Sequence, residues 1–171
     1  VNKRDIIPWG NGSKMADFTE CPDVRLALPQ DLEAVLALME VACREDAQHE
    51  MDAEKVLNMV MRHYNKQGAM LAVIGEVGEP VAYCLSILDE IWYAAPGTMQ
   101  LLELSLFVHP DHRRTNYAKQ LMNFMKQASE GLSLDLTIGV FSNERTQAKI
   151  RLYSRQFKTV GAYFMYHPQQ A

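Results

Sequence analysis

Hydrophobic side chains recur at helical spacing in three stretches of this chain. In the first, Leu32, Val35, Leu36 and Met39 stand at i, i+3, i+4 and i+7, the spacing that gathers apolar side chains on one helix face. This spacing predicts three helices. The first starts at Pro29, the second starts after Asp52 and ends at Gly68, and the third spans residues 116–130 and ends at Gly131. A fourth predicted helix, over residues 144–157, is basic.

Shorter apolar runs bounded by glycine, proline or charged residues indicate strands. The predicted strands cover residues 24–28, 69–77, 80–93, 98–108, 135–141 and 159–167. Short turns join the second, third and fourth strands, which can therefore pair as an antiparallel meander. A helix separates the fourth and fifth strands, so we expect these two to be parallel. The order β-α-α-β-β-β-α-β-α-β predicts an α/β (α+β) fold with a mixed sheet and helices on its faces.

Composition narrows the class of protein. The chain has 171 residues, a formal net charge of −4 and a pI near 5.7. We expect one domain over residues 23–171, after an extended arm over residues 1–22 that has no apolar period. The acidic balance disfavours nucleic-acid binding. No apolar run approaches the length of a membrane span, and three scattered cysteines indicate no disulfide framework. These features predict a cytoplasmic protein.

The segment from Leu104 to Glu130 carries the clearest chemical signal. An apolar strand is followed by a short loop, from His109 to Arg114, that holds two histidines and two arginines, and then by an amphipathic helix. A helix N-terminus presents unpaired N–H groups and a partial positive charge. With two guanidinium groups beside it, this loop is suited to a phosphate or pyrophosphate. The two histidines have no further ligand at metal-binding spacing, so we expect no metal.

This order of elements, with the loop in this place, resembles the GNAT superfamily of N-acetyltransferases. The family's loop motif Q/R-x-x-G-x-G/A is matched by residues 113–118, RRTNYA, five residues after Val108. The resemblance covers about residues 24–167 and implies a mostly antiparallel mixed sheet with about four helices, splayed at a central parallel strand pair. The runs VHPDHRRTNYAKQLM and IGVFSNERTQAKIRLYSRQF look most like acetyltransferases encoded by bacteriophages.

The resemblance also implies a cofactor site for acetyl-CoA as co-substrate. The pyrophosphate would bind the loop, and Phe107 and Val108 would lie along the pantetheine arm. The implied loop residues are Arg113, Arg114, Thr115, Asn116, Tyr117 and Ala118. Asn116 replaces the central glycine, and asparagine tolerates the left-handed region well enough for the loop to keep its conformation. Thr146 stands where relatives often have asparagine, and Asn143, three residues earlier, is the candidate for that role.

Two residues are candidates for catalysis. The resemblance implies that Tyr153 protonates the departing thiolate of CoA, for which a phenol is a suitable donor. Glu103 is the best candidate for the base that takes a proton from the amine. Strand alternation, however, places Glu103 on the face opposite to Leu106, and only a bulge would change this. Asp89 and Glu90 are alternative bases.

The function expected is therefore acetyl-CoA-dependent transfer of an acetyl group to a primary amine, by direct attack in a ternary complex. One alternative is a non-catalytic protein of this fold that binds a host or partner protein; another is an acyltransferase for a longer acyl group. A covalent route through Cys84 has no supporting partner in the sequence. The acceptor, small molecule or protein, is open, and so is a homodimer. Acceptor-binding loops are expected within residues 29–67 and 91–98, and the basic last helix is expected to face solvent.

Overall fold

One five-stranded sheet organises the described part of the chain. The computed structural model describes residues 21–46, 49–140, 142 and 145–161. The strands are β1 (Val24–Leu26), β2 (Ala69–Glu76), β3 (Glu79–Glu90), β4 (Met99–Val108) and β5 (Asp135–Thr137), and they lie side by side in that order. The first four pair antiparallel, whereas β4 and β5 are parallel. The predicted meander and the predicted parallel pair are both confirmed.

Four α-helices are present in the described residues: α1 (Leu32–Asp46), α2 (Ala53–Tyr64), α3 (Tyr117–Leu132) and α4 (Thr146–Ser154). A 3₁₀ turn at Pro29–Asp31 leads into α1, and the side chain of Asp52 caps α2 by accepting the Lys55 N–H. Within the described residues, every helix is too short or too polar to cross a membrane.

The helices cover opposite faces of the sheet and define two cores. On the first face, which we call the α1 face, α1 and α2 pack on side chains that include Tyr83, Leu85 and Phe107. On the second, the α3 face, α3 and Tyr153 of α4 pack on side chains that include Ala82 and Leu106. Alternation along β3 and β4 sends neighbouring residues to different cores.

A β-bulge at Leu104 interrupts this alternation in β4. Ser105 pairs with Leu85 and Glu103 pairs with Ser86, so Leu104 has no counterpart on β3. The extra residue shifts the register by one, which carries Glu103 to the same face as Leu106. The expectation that Glu103 lies opposite to Leu106 is therefore wrong, and the reason is the bulge. Leu104 itself is 42% exposed.

The parallel pair of strands separates soon after it forms. Only Gln100, Leu101 and Leu102 of β4 pair with β5, and residues 138–140 have no strand structure. Within the described residues, β4 therefore has an open edge from Glu103 to Val108. This is the splay that the resemblance implied.

The buried carboxylate of Asp31 links the first described strand to two turns. Asp31, fully buried, receives two hydrogen bonds from Arg25 and one each from the N–H groups of Leu28 and Gly78. Although burial alone raises its pKa, these bonds hold the pKa of Asp31 below its usual value. The cluster joins β1, the turn before α1 and the β2–β3 turn.

Several predicted boundaries need correction. Gly131 does not end α3; the helix continues to Leu132 and ends at Ser133, which takes the left-handed conformation instead. The predicted strand over 135–141 is a strand only over Asp135–Thr137, and the predicted helix over 144–157 is helical over Thr146–Ser154. Residues 1–20 of the predicted arm over residues 1–22, and most of the predicted strand over 159–167, lie outside the described residues, and residues 159–161 have no regular structure.

Candidate active site

The open edge of β4 forms one wall of an open cleft of about 150 Å³. The other walls come from the start of α3, from α4 and from the last turn of α1. Its lining residues are Glu45, Leu106, Phe107, Val108, Arg113, Thr115, Ala118, Arg145, Ala148, Lys149, Leu152 and Tyr153. The cleft thus brings together the predicted strand, the predicted loop and the predicted tyrosine.

Backbone groups of β4 point into this cleft. The N–H of His109 donates to the carbonyl of Val81 at 2.9 Å, on the β3 side. Because backbone groups alternate along a strand, those of Val108 and Leu106 point to the opposite, open edge. The Val108 carbonyl accepts a hydrogen bond from Nε of Arg113 at 3.1 Å. The N–H groups of Leu106 and Val108 and the carbonyl of Leu106 lie on the same edge, where an extended ligand can pair with them.

Glu103 lies at the point where β4 and β5 part. Its side chain is buried, and burial raises its pKa from 4.5 to about 7. The N–H of Gly139 donates to the carboxylate, and the charge of Lys149 on α4 also acts to lower the pKa. Glu103 does not line the cleft itself, but Leu106, on the same face of β4, and Lys149, whose charge acts on Glu103, both do. A group with a pKa near 7 at this position can take up or release a proton at neutral pH.

Tyr153 faces the same side of the sheet from α4. It is 9% exposed, belongs to the core of the α3 face and lines the cleft. Its ring packs edge-on against Phe157, with ring centroids 6.4 Å apart. The structure therefore brings Tyr153 and Glu103 to one side of the open edge, as their predicted roles require, although neither role is tested by the fold.

The predicted cofactor loop, residues 113–118, follows a 3₁₀ turn over Pro110–His112 and runs into the first turn of α3. Asn116 precedes α3 with φ of −90°, so the left-handed conformation expected at the glycine position is not adopted. Its side chain accepts a hydrogen bond from Gln120, whose Nε2 also donates to Asp23. Asparagine is therefore unstrained here. Thr115 and Ala118 line the cleft at the helix start, Tyr117 stacks on His112, and Arg114 and Asn116 are exposed.

Arg113 is held more firmly than a solvent-facing loop arginine. Beyond its bond to the Val108 carbonyl, its guanidinium lies 5.4 Å from the centroid of the Phe107 ring and forms an ion pair with Glu45 of α1. The other carboxylate oxygen of Glu45 is 3.9 Å from Arg145. Two predicted cofactor residues, Phe107 and Arg113, thus touch each other at the mouth of the cleft.

Sequence reasoning missed part of this site. Arg145 and Lys149 line the cleft, so the basic last helix does not simply face solvent; Arg151 and Arg155 on the same helix are exposed. Arg145, Lys149 and Tyr153 follow one another at intervals of four residues, a sequence signal that predicts one shared helix face. Glu45 gave no such signal, because its partners are distant in sequence.

Other candidates are less well placed. The thiol of Cys84 is buried, donates to Sδ of Met125 and has a pKa that burial raises well above its usual value, which argues against a nucleophile. Asp89 and Glu90 stand at the far end of β3, next to the hairpin. Asn143 lies outside the described residues. In the described part of the chain, acidic, histidine and cysteine side chains form no group of three that could hold a metal.

More than half of the chain matches the model of a known domain family. The model of the acetyltransferase (GNAT) domain family matches residues 66–158, which is more than half of the chain. The matched region holds β2 to α4 and every described lining residue except Glu45. No curated protein sequence matches the chain.

Solved structures share the fold at low sequence identity. A GCN5-related N-acetyltransferase from Ralstonia eutropha JMP134 is 19% identical, with a TM-score of 0.65 over 85% of this chain and 97% of that one. A ribosomal-protein-alanine N-acetyltransferase from Brucella melitensis biovar Abortus 2308 is 16% identical, with a TM-score of 0.64 over 85% and 98%. An aminoglycoside 6'-N-acetyltransferase from Acinetobacter haemolyticus is 12% identical, with a TM-score of 0.63 over 84% and 96%. The predicted fold class is confirmed.

Proposed function

Because this chain belongs to the GNAT acetyltransferase family, we propose that it transfers the acetyl group of acetyl-CoA to a primary amine by direct attack in a ternary complex. The observation that carries the proposal is the open edge of β4, flanked on one face by Glu103 and Tyr153. The narrower prediction, an acetyltransferase of the bacteriophage type, rests on the two runs of sequence alone.

The residues around the cleft fit acetyl-CoA. An extended pantetheine arm needs unpaired backbone groups beside it, and Leu106 and Val108 offer them on the open edge. Phosphates need N–H donors and cations, and Thr115 and Ala118 at the start of α3 stand close to Arg113 and Arg145. Acetyl-CoA supplies the activated acetyl group; the protein's residues bind, orient and exchange protons.

Proton transfer is assigned to two side chains. The amine nitrogen forms a bond to the acetyl carbon as the carbon–sulfur bond breaks, so the nitrogen must lose a proton and the sulfur must gain one. Glu103 accepts the proton from the amine, directly or through water, and its pKa near 7 leaves it partly ionised at neutral pH. Tyr153 donates a proton to the sulfur. An N–H of the β4 edge polarises the carbonyl.

The amine that accepts the acetyl group has to be identified by experiment. Two structural neighbours are named for unlike acceptors, a ribosomal-protein alanine and an aminoglycoside. A panel of polyamines, amino acids and lysine peptides, with thiol release as readout, is the way to find it. The rival of a non-catalytic partner-binding protein loses much of its motivation, because Asn116 is unstrained and Glu103 lies on the face of Tyr153.

The test separates binding from chemistry. Acetyl-CoA at about a hundred times its Kd should stabilise the fold by about 2.7 kcal/mol. With an acceptor in hand, Tyr153→Phe should lower kcat by about 100-fold or more and leave acetyl-CoA affinity nearly unchanged, because only the hydroxyl is lost. Tyr93→Phe is the matched control, since Tyr93 is 75% exposed on the β3–β4 hairpin.

Two results would contradict the proposal. If millimolar acetyl-CoA leaves the unfolding temperature unchanged, the cleft is not a cofactor site. If Tyr153→Phe keeps full kcat while acetyl-CoA still binds, the family holds but the assignment of the acid is wrong.

A further inference from the structure

A carboxylate, that of Glu45, pairs with cations that line the cleft. Glu45 extends from the last turn of α1 and contacts Arg113 with one oxygen, while its other oxygen lies 3.9 Å from Arg145. All three side chains line the cleft beside Ala118 at the start of α3. The side chain of Glu45 is only 21% exposed, so its charge is partly withdrawn from solvent.

The local structure of α1 does not explain this position. A negative charge in the last turn of a helix is disfavoured by the helix dipole, which favours cations there. The arginine one residue earlier, Arg44, pairs with Glu40 at the helix surface and not with Glu45. The interactions that hold the carboxylate of Glu45 therefore come from the β4–α3 loop and from α4.

Arg113 keeps its position by contacts other than Glu45. Its Nε donates to the Val108 carbonyl, and its guanidinium lies over the Phe107 ring. The terminal nitrogens are thus directed at the cleft before any ligand arrives, and one of them is taken by Glu45. An incoming anion meets an oriented guanidinium that is already paired.

We propose that Glu45 is an internal competitor of the cofactor's phosphates, whose carboxylate must release Arg113, Arg145 or both when the cofactor binds. This inference rests on the proposed function, since it takes the anion to be the diphosphate of acetyl-CoA. Glu45 is thereby a residue that sets cofactor affinity and contributes no bond to the bound cofactor.

The competition predicts a gain of affinity on removal of one charge. Glu45→Gln keeps the length and shape of the side chain but not its charge, so CoA should bind about threefold to tenfold more tightly. Glu40→Gln, on the same helix but away from the cleft, should leave the Kd unchanged. Without ligand, Glu45→Gln should unfold at an equal or slightly lower temperature, since it loses an ion pair.

Titration calorimetry of CoA with the wild-type protein and both variants decides the matter. An unchanged or weaker Kd in Glu45→Gln, with CoA binding intact in the wild type, would overturn this inference alone. Failure of CoA to bind any of the three proteins would instead overturn the proposed function. In an Arg113→Met background, Glu45→Gln should raise the affinity for CoA by a smaller factor than in the wild type, because one of the two cations that Glu45 competes for is gone. An undiminished gain of affinity in both Arg113→Met and Arg145→Met backgrounds would refute the competition.

Discussion

Replacement of Glu103 by glutamine should stabilise the protein by an amount that grows as the pH rises from about 4.5 to 7 and then levels off. Burial raises the pKa of this carboxyl from 4.5 to about 7, so the folded protein binds its proton more tightly than the unfolded chain does. The sign follows from linkage. Below pH 4.5 the group is protonated in both states, whereas between 4.5 and 7 stability falls as pH rises, because the unfolded state ionises first. Above about pH 7 the ionised, buried carboxylate of Glu103 lowers the free energy of unfolding by its full amount.

The size of this effect can be worked from the two pKa values. Each pKa unit corresponds to about 1.4 kcal/mol, which gives an upper limit of about 3 kcal/mol at pH 8. Glutamine keeps the shape of the side chain, and its amide oxygen can still accept the N–H of Gly139. For a protein of this size the gain corresponds to a rise of roughly 6–12 °C in Tm at most.

The assay compares Tm values of the wild-type protein and Glu103→Gln from pH 4.5 to pH 8.5. The difference should be small at the acidic end and grow through pH 7. Glu130→Gln, which changes an exposed carboxylate on α3, controls for any general effect of losing a negative charge. A difference that does not depend on pH, or a variant less stable at pH 8, would refute the burial of an ionisable Glu103.

The same variant has a second expected result in the enzyme assay. If Glu103 is the base, kcat/KM of the wild type should fall about tenfold per pH unit below pH 7, and Glu103→Gln should lose this limb together with most of its rate. A more stable and less active variant is the combination to look for, since a buried charge kept for catalysis destabilises the fold.

Three further predictions concern the surroundings of the site. Asn116→Gly should weaken CoA binding slightly or leave it unchanged, as measured by calorimetry, because φ is negative there and the bond to Gln120 is lost; a marked tightening would mean that the loop changes conformation with ligand. Asp31→Asn should cost about 3 kcal/mol or more in urea unfolding at pH 7, and less at pH 3, because below pH 3.8 the unfolded chain takes up a proton that the folded carboxyl, with its lowered pKa, binds less tightly; an equal cost at both pH values would argue against the ion pair. Gly75→Ala should prevent stable folding, since φ is +126° and the added Cβ would lie 2.5 Å from the carbonyl oxygen of Glu79, whereas near-wild-type thermal unfolding would contradict this.

Local patterns in the sequence were sufficient for the order of elements within the described residues and for the choice of a candidate site. The period of Leu32, Val35, Leu36 and Met39 reflects burial on one helix face, and the short turn after Glu76 leaves an antiparallel hairpin as the simple solution. The match at residues 113–118 then located the loop, because it depends on residues next to each other in the chain.

What could not be predicted depends on partners distant in sequence. The bulge at Leu104 is defined only against β3, and the ion pair of Glu45 joins residues 68 positions apart. A glycine at position 131 predicts a helix end, yet Ser133 supplies the left-handed residue. In each case several local structures suit the sequence, and tertiary contacts select among them.

The extra residue in β4 places Glu103 and Leu106 on one face of the sheet, although simple alternation would place them on opposite faces. Met99, Leu101 and Glu103 are in phase with Leu106 on the α3 face, although they stand an odd number of residues before it, because Leu104 has no partner on β3. Substitutions at position 104 leave this phase intact, whatever their polarity. A single-residue deletion there would restore unbroken alternation from Ser105 to Glu103, and Glu103 would still lie on the face opposite to Ser105, which is the α3 face. The bulge is therefore dispensable for the face that Glu103 occupies, and a loss of activity on deletion of Leu104 would assign the role of the bulge to the local bend and twist of β4.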